Sequence, residues 1–410
     1  MCSAEMQPAS RSMRLHIGLF GRRNVGKSSL LNALTRQQVS IVSAQAGTTT
    51  DPVEKPMELL PFGPVLFVDT AGLDDEGLLG EVRSGRSRAV LDRVDLGILV
   101  AERGTWGLFE ESLLADLKAR NIPTVVAFNK HDLHAEADLP SLDSVEVVAV
   151  SALDGHGVDA LREALLRAAP ADHFDTRHLL SDLVPPGEVA VLVMPIDASA
   201  PKGRLILPQV MAVRDVLDGA GLALVVQARE LSRALSSLKG LPALVVTDSQ
   251  AFHSVARDVP DSVPMTSFSI LMSRFHGSLA AQVRGTFAIE DLRGGDRVLV
   301  AEGCTHHPTE EDIGRVKLPR WLTQKVGEPL RFDTVQGRDF PADLSPYKLV
   351  VHCGNCMGNR REMLARIHRC DAAGVPITNY GLAIAYSLGI FDRALRPFPE
   401  VQEFLHALRA

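Results

Sequence analysis

The sequence predicts an α/β protein: a phosphate-loop domain followed by two smaller α/β domains with mainly parallel sheets. Three observations carry that reading. A short apolar run, "RLHIGLF" (14–20), leads into a glycine-rich loop and then a helical segment. From 189 onward, short apolar strands alternate with helical stretches, as in parallel α/β units. A similar strand type returns at "RVLV" (297–300), "YKLVVH" (347–352) and "GVPITNY" (374–380). At 410 residues the chain exceeds a single core. The expected division is a disordered tail at 1–12, the phosphate-loop domain at 13–170, and α/β domains at 171–270 and 271–410.

Composition narrows the function classes. The net charge is −7 and no long basic block occurs, so no nucleic-acid partner is expected. The five cysteines lack the spacing of a disulfide framework. No apolar run reaches the length of a membrane span or a signal-peptide core. A cytoplasmic protein from a reducing compartment is expected.

The first domain carries its chemistry in "GRRNVGKSSLLNALT" (21–35). Gly21 and Gly26 bracket a phosphate loop that Lys27, Ser28 and Ser29 complete. The glycines let backbone N–H groups face phosphate oxygens. Lys27 reaches the β and γ phosphates, and Ser28 holds Mg²⁺. "VLFVDTAG" (65–72) runs from a strand into Asp69, placed to reach Mg²⁺ through water. Gly72 follows, with a backbone N–H near the γ-phosphate. "TVVAFNKHD" (124–132) ends in Asn129, Lys130 and Asp132, and "VEVVAVSAL" (145–153) ends in Ser151 and Ala152.

This series resembles the guanine-nucleotide GTPases. The resemblance implies that Asp132 accepts from guanine N1 and N2, donors that adenine lacks. "GTTTDP" (47–52) looks like switch I, with one of Thr48, Thr49 and Thr50 the Mg²⁺ ligand and Thr49 favoured by position. Asn24 occupies the place that ligates potassium in tRNA-modification GTPases of the MnmE type, which implies K⁺-stimulated hydrolysis. Leu73 stands where Ras-like proteins have a water-orienting glutamine, so intrinsic hydrolysis is expected to be slow.

The middle domain reads as strands 189–196, 222–227, 242–249 and 263–272 with helices between them. It offers no second phosphate loop, and a binding or homodimerising role is expected. In the last domain Cys304 lies just past one strand and Cys353 and Cys356 just past another. Parallel strands collect ligands at their C-terminal ends, so the two stretches are expected to meet there. Three thiolates with His306 or His352 nearby, and His307, Glu310 and Glu311 as alternative fourth donors, suit either zinc or an iron–sulfur cluster, and the spacing does not separate them. Cys370 reads as core packing and Cys2 as part of the tail.

The pattern Cys304-Thr305-His306, 45 residues, then His352-Cys353-Gly354-Asn355-Cys356 resembles the HydF family of [FeFe]-hydrogenase maturation GTPases. "DASAPKGRLILPQV" and "HHPTEEDIGRVKLPRWL" are also similar to family stretches. The resemblance covers roughly 10–400. It implies a [4Fe–4S] cluster on the three cysteines and GTP and GDP in the first domain. It further implies a scaffold that carries a transient di-iron precursor to apo-[FeFe]-hydrogenase, alongside the radical-SAM maturation proteins HydE and HydG. Two other readings stand beside it: a zinc-stabilised GTP switch that binds proteins, and an RNA- or ribosome-associated GTPase.

Overall fold

The computed structural model describes residues 11–35, 53–60, 62–70, 90–102, 104–133, 139–140, 142–170, 177–196, 205–303, 312–337 and 339–409. The chain divides into two compact units, Met1–Thr176 and Arg177–Ala410. Thr49, Gly72, Cys304 and His306 lie outside the described residues, as does the expected tail up to residue 10. Arg11–Met13 form a 3₁₀ turn.

In the first unit the strands are β1 (Leu15–Phe20), β2 (Val53–Leu59), β3 (Gly63–Asp69), β4 (Leu96–Glu102), β5 (Thr124–Asn129) and β6 (Glu146–Ala149). They form one sheet in the order β2-β3-β1-β4-β5-β6. Every pairing is parallel except that of the edge strand β2 with β3. Helices α1 (Lys27–Thr35), α2 (Leu108–Ala119) and α3 (Val158–Ala168) flank it.

Alternation along each strand sends side chains to opposite faces. Leu15, Ile17 and Leu19 of β1 pack with Leu30, Leu31 and Leu34 of α1 and Leu161 and Leu165 of α3. Leu99 and Ala101 of β4 pack on the other face with Leu113, Leu114 and Leu117 of α2. Both faces are buried, so the strands read as unbroken apolar runs. Parallel pairing then brings the ends of β1, β3 and β5 to one edge, where Gly21, Thr70 and Lys130 emerge.

The second unit holds two four-stranded sheets. The first contains β7 (Val189–Val193), β8 (Leu222–Val226), β9 (Leu244–Thr247) and β10 (Met265–Ser267), in the order β10-β9-β7-β8. Helices α4 (Leu207–Asp218), α5 (Leu231–Ser237), α6 (Phe252–Asp258), α7 (Phe268–His276) and α8 (Leu279–Thr286) lie in this stretch of the chain. The second sheet contains β11 (Arg297–Glu302), β12 (Arg331–Gln336), β13 (Leu349–His352) and β14 (Ile377–Asn379), in the order β12-β11-β13-β14. A π-helical turn (Ile313–Lys317) leads into α9 (Leu318–Val326). Helices α10 (Arg360–Ala372), α11 (Tyr380–Ser387), α12 (Phe391–Leu395) and α13 (Pro399–Arg409) complete the unit.

All pairings in both sheets are parallel. One hydrophobic cluster takes Val191 and Val245 from the first sheet and Val300 and Val351 from the second, so the two α/β domains share a core. The far face of the second sheet is covered by Met363, Ile367 and Cys370 of α10. Cys370 is fully buried there, and burial pushes its thiol up to about 12.

Two details differ from the sequence reading. The stretch 263–272 is a strand only at Met265–Ser267 and then becomes α7. Ser267 makes the switch, because its Oγ accepts from Ile270 N–H at 3.3 Å and caps the helix. Strand β12 was not expected, because it lies at the sheet edge and carries polar residues such as Arg331, Asp333 and Thr334.

Candidate functional site

The phosphate loop follows β1 without an intervening residue. Gly21 and Gly26 have φ of 138° and 91°, a region disfavoured for residues with a side chain. A Cβ on Gly21 would lie 2.1 Å from Val100 O, and one on Gly26 would lie 2.2 Å from Asn129 Nδ2. Both positions therefore require glycine for space as well as for conformation. Asn24, at φ 63°, takes the left-handed conformation that asparagine tolerates. Lys27 is buried, and its Nζ donates to Gly21 O at 2.7 Å and Arg22 O at 2.8 Å. Ser28 Oγ donates to Asp69 Oδ2 at 3.0 Å, which joins the two expected Mg²⁺ ligands across α1 and β3. Ser29 continues α1.

The base-recognition residues are tied to the same loop. Asn129 Nδ2 donates to Val25 O at 2.8 Å, and its Oδ1 accepts from Ala152 N–H at 3.0 Å. One side chain thus holds three loops in register. Asp132 Oδ1 accepts from Ser151 Oγ at 2.7 Å, and Asp132 itself is exposed at the rim. Lys130 Nζ pairs with Glu102 Oε2 at 2.8 Å.

Sequence reasoning missed Glu110. It is fully buried in α2 and grips the phosphate-loop residue Arg22 through bonds of 2.6 and 3.0 Å. The partners lie 88 residues apart, and no local pattern marks them.

At the second site Ala301 pairs in register with His352, so β11 and β13 end side by side. Gly303 N–H donates to Cys353 Sγ at 3.0 Å, and Asn355 N–H donates to the same sulfur at 3.4 Å. Gly303, the last described residue before Cys304, thus meets the turn after β13. Asn355 adopts φ 51°, and a Cβ on Gly303 or Gly358 would lie within 2.5 Å of its side-chain oxygen. Burial pushes the Cys353 thiol up, opposed by the Gly303 and Asn355 N–H donors. Cys356 is half-buried on the same loop.

The His352 ring is fully buried, and both of its nitrogens are engaged by protein atoms. Arg366 has only donors, so its bond to Nε2 at 2.7 Å makes Nε2 the acceptor. Nδ1 then carries the hydrogen and donates to Cys353 O at 2.8 Å. Burial, and then Arg366, pushes the imidazole down to about 3, so the ring is neutral. Arg366 is itself held by Gly337 O at 2.6 Å and Glu362 Oε1 at 2.8 Å.

On the other side of Gly303, Glu302 is buried and accepts from Gln336 Nε2 at 2.9 Å and from Tyr380 O–H at 3.5 Å. Gly314 opens the way for this contact, since a Cβ there would meet Tyr380 Oη at 2.2 Å. These residues come from distant segments, and only the glycines gave a local hint. Among the described residues no group of three His, Cys, Asp or Glu side chains is placed to hold a metal ion. The donor chemistry nonetheless fits an iron–sulfur centre: two thiols share a loop, backbone N–H groups point at sulfur, and the third thiol is one residue from Gly303.

A nucleotide-type phosphate loop with an NKxD-type base site, on this strand order, defines a P-loop GTPase. The family described as 50S ribosome-binding GTPase matches residues 16–130. The hydrogen maturase F dimerization domain matches 179–277 and the hydrogen maturase F tetramerization domain matches 280–397. The chain belongs to the hydrogen maturase F (HydF) family.

Among curated relatives, tRNA modification GTPase MnmE of Laribacter hongkongensis is 38% identical over 157 residues, 38% of this chain and 34% of the relative. GTPase Der of Wolinella succinogenes is 32% identical over 177 residues, 40% of this chain and 37% of the relative. The chain thus spans only about a third of the length of these relatives. A solved structure of the cytosolic domain of the T. maritima FeoB iron transporter in its GDP form is 23% identical. That match covers 38% of this chain and 62% of that one, with a TM-score of 0.29.

Proposed function

We propose that the chain is a GTP-hydrolysing carrier that holds a [4Fe–4S] cluster on Cys304, Cys353 and Cys356. In this reading it delivers a di-iron precursor to apo-[FeFe]-hydrogenase, with HydE and HydG as the maturation partners. The observation that carries the proposal is the Gly303 N–H bond to Cys353 Sγ, in a chain whose domains belong to hydrogen maturases. Lys27 neutralises the β and γ phosphates, and Ser28, Asp69 and Thr49 bind Mg²⁺. Gly72 N–H meets the γ-phosphate, and Asn24 binds K⁺. Asp132 reads guanine, with Ser151 orienting its carboxylate and Asn129, Lys130 and Ala152 framing the base. When bound, the cluster supplies an iron that lacks a thiolate and can exchange its ligand.

Phosphate release tests the nucleotide half. Wild type is expected to hydrolyse GTP with Mg²⁺, faster in K⁺ than in Na⁺, and to reject ATP. Asp132→Asn is expected to move the preference from GTP to XTP. Equal rates with GTP and ATP would refute the guanine assignment, and equal rates in Na⁺ and K⁺ would remove the role of Asn24.

In the same reading the homodimer forms through β8. This edge strand exposes Leu222 (55%) and Val225 (45%), and α4 exposes Leu217 (58%) beside it in sequence. An apolar edge is a template for pairing with a second chain. A twofold partner would pair β8 with β8. Replacing Leu222 and Val225 together by Lys is expected to convert the dimer to monomer in sedimentation at micromolar concentration. A double variant that sediments like wild type would move the interface elsewhere.

A further inference from the structure

The second unit contains the same fold twice, and the comparison of the two copies singles out a pair of buried residues. Counted from its own first strand, each sheet runs 2-1-3-4 with all strands parallel. The registers coincide. Val193, Thr247 and Ser267 align across β7, β9 and β10, as Ala301, His352 and Asn379 align across β11, β13 and β14. Short stretches are alike as well: "GRLILP" (203–208) and "GRVKLP" (314–319) share four of six residues, "LVVT" and "LVVH" three of four, and "MTSF" and "ITNY" the threonine. Pro208 and Pro319 both stand in the first turn of their helices. The copies even exchange helices, since α8 packs on β14 and α12 packs on β10.

In this alignment Asp248 stands where Cys353 does. The Asp248 carboxylate accepts from Gln250 N–H at 3.3 Å, and Cys353 Sγ accepts from Asn355 N–H at 3.4 Å, the same i to i+2 turn. The turn is therefore common to both copies. His352 and its arginine are not. Thr247 occupies the matching strand position, fully buried, and its Oγ1 has no hydrogen-bond partner among the described residues. The fold can close over this position without an imidazole and a guanidinium. Burying both beneath one copy calls for a role tied to the cysteines.

We propose that Arg366 and His352 are positioning residues for the cysteine loop. Arg366 fixes the tautomer of His352, and His352 Nδ1–H then holds the Cys353 carbonyl so that Sγ stays under the N–H groups of Gly303 and Asn355. The cluster assigned to Cys353 rests on the functional reading above. The position of Cys353 Sγ in the metal-free chain does not.

Two near-isosteres separate the two ends of the imidazole. His352→Asn keeps a donor at the place of Nδ1 and loses the acceptor for Arg366. His352→Gln keeps an acceptor at the place of Nε2 and loses the donor to Cys353 O. The full chain is measured metal-free, by melting temperature and by the alkylation rates of Cys353 and Cys356 resolved by peptide mapping. It is then measured after anaerobic reconstitution with iron and sulfide, by the rate of iron loss to a chelator.

His352→Gln and Arg366→Met are each expected to change Cys353 alkylation and speed iron loss by roughly tenfold or more, the scale of outer-shell losses at metal sites. His352→Asn is expected to melt lower than His352→Gln yet stay within about twofold of wild type in both rates. The order of stability is thus opposite to the order of cysteine reactivity. Rates that simply follow melting temperature, or folded His352→Gln and Arg366→Met proteins with wild-type rates, would overturn the proposal. If wild type binds no iron, the functional reading fails, while the metal-free alkylation still decides the positioning role.

Discussion

Lys27→Ala is expected to lower the rate of phosphate release from GTP by two to three orders of magnitude, about the cost of removing one preorganised charge-stabilising donor. The magnitude follows from the geometry. Lys27 Nζ already sits within the loop, 2.7 Å from Gly21 O and 2.8 Å from Arg22 O, with 5% of the residue exposed. It needs little rearrangement to meet the γ-phosphate, and no other described cation lies in the loop between Gly21 and Gly26 except Arg22 and Arg23. Arg22 is committed to the buried Glu110. The fold should survive, because α1 is anchored by Leu30, Leu31 and Leu34, all fully buried. Phosphate release on protein with an unchanged circular dichroism spectrum and melting curve checks this. A Lys27→Ala chain within about threefold of wild type would place the phosphate clamp elsewhere.

Cys353→Ala is expected to remove most of the reconstituted iron and leave GTP hydrolysis within about twofold of wild type. The substitution deletes the sulfur that accepts both backbone N–H groups, so Gly303 and Asn355 lose their shared partner. Those two bonds hold the end of β11 to the turn after β13. Their loss should loosen the approach of Cys304 as well as removing a ligand. The phosphate loop belongs to the other compact unit, which explains why hydrolysis should be spared. Iron and phosphate release measured on the same preparation test both halves. Loss of GTP hydrolysis in folded Cys353→Ala protein would show that the sites are coupled in the resting chain.

The phosphate loop was legible because its chemistry is local: spacing fixes where Gly21, Gly26, Lys27 and Ser28 lie on one turn of chain. The meeting of Gly303 with the cysteine turn after β13 was legible from topology, since parallel strands end at one edge. What escaped was nonlocal. Arg22 and Glu110 are 88 residues apart, and Arg366 reaches His352 from a helix whose cysteine core face hid its buried arginine. The helix α7 escaped for a different reason. A short apolar run fits a strand or a buried helix equally, and only the Ser267 cap decides. The duplication was present as fragments of four to six letters, too short to weigh until strand register aligned them.

The proposed function joins a GTP site and an iron–sulfur site on Cys304, Cys353 and Cys356 in one chain. Its test is anaerobic reconstitution with iron and sulfide, followed by metal and sulfide counting and EPR of the reduced protein. About four irons and four sulfides per chain are expected, with a [4Fe–4S] signal that is absent in Cys353→Ala. One tightly held zinc and no labile sulfide, in protein never exposed to air, would contradict it.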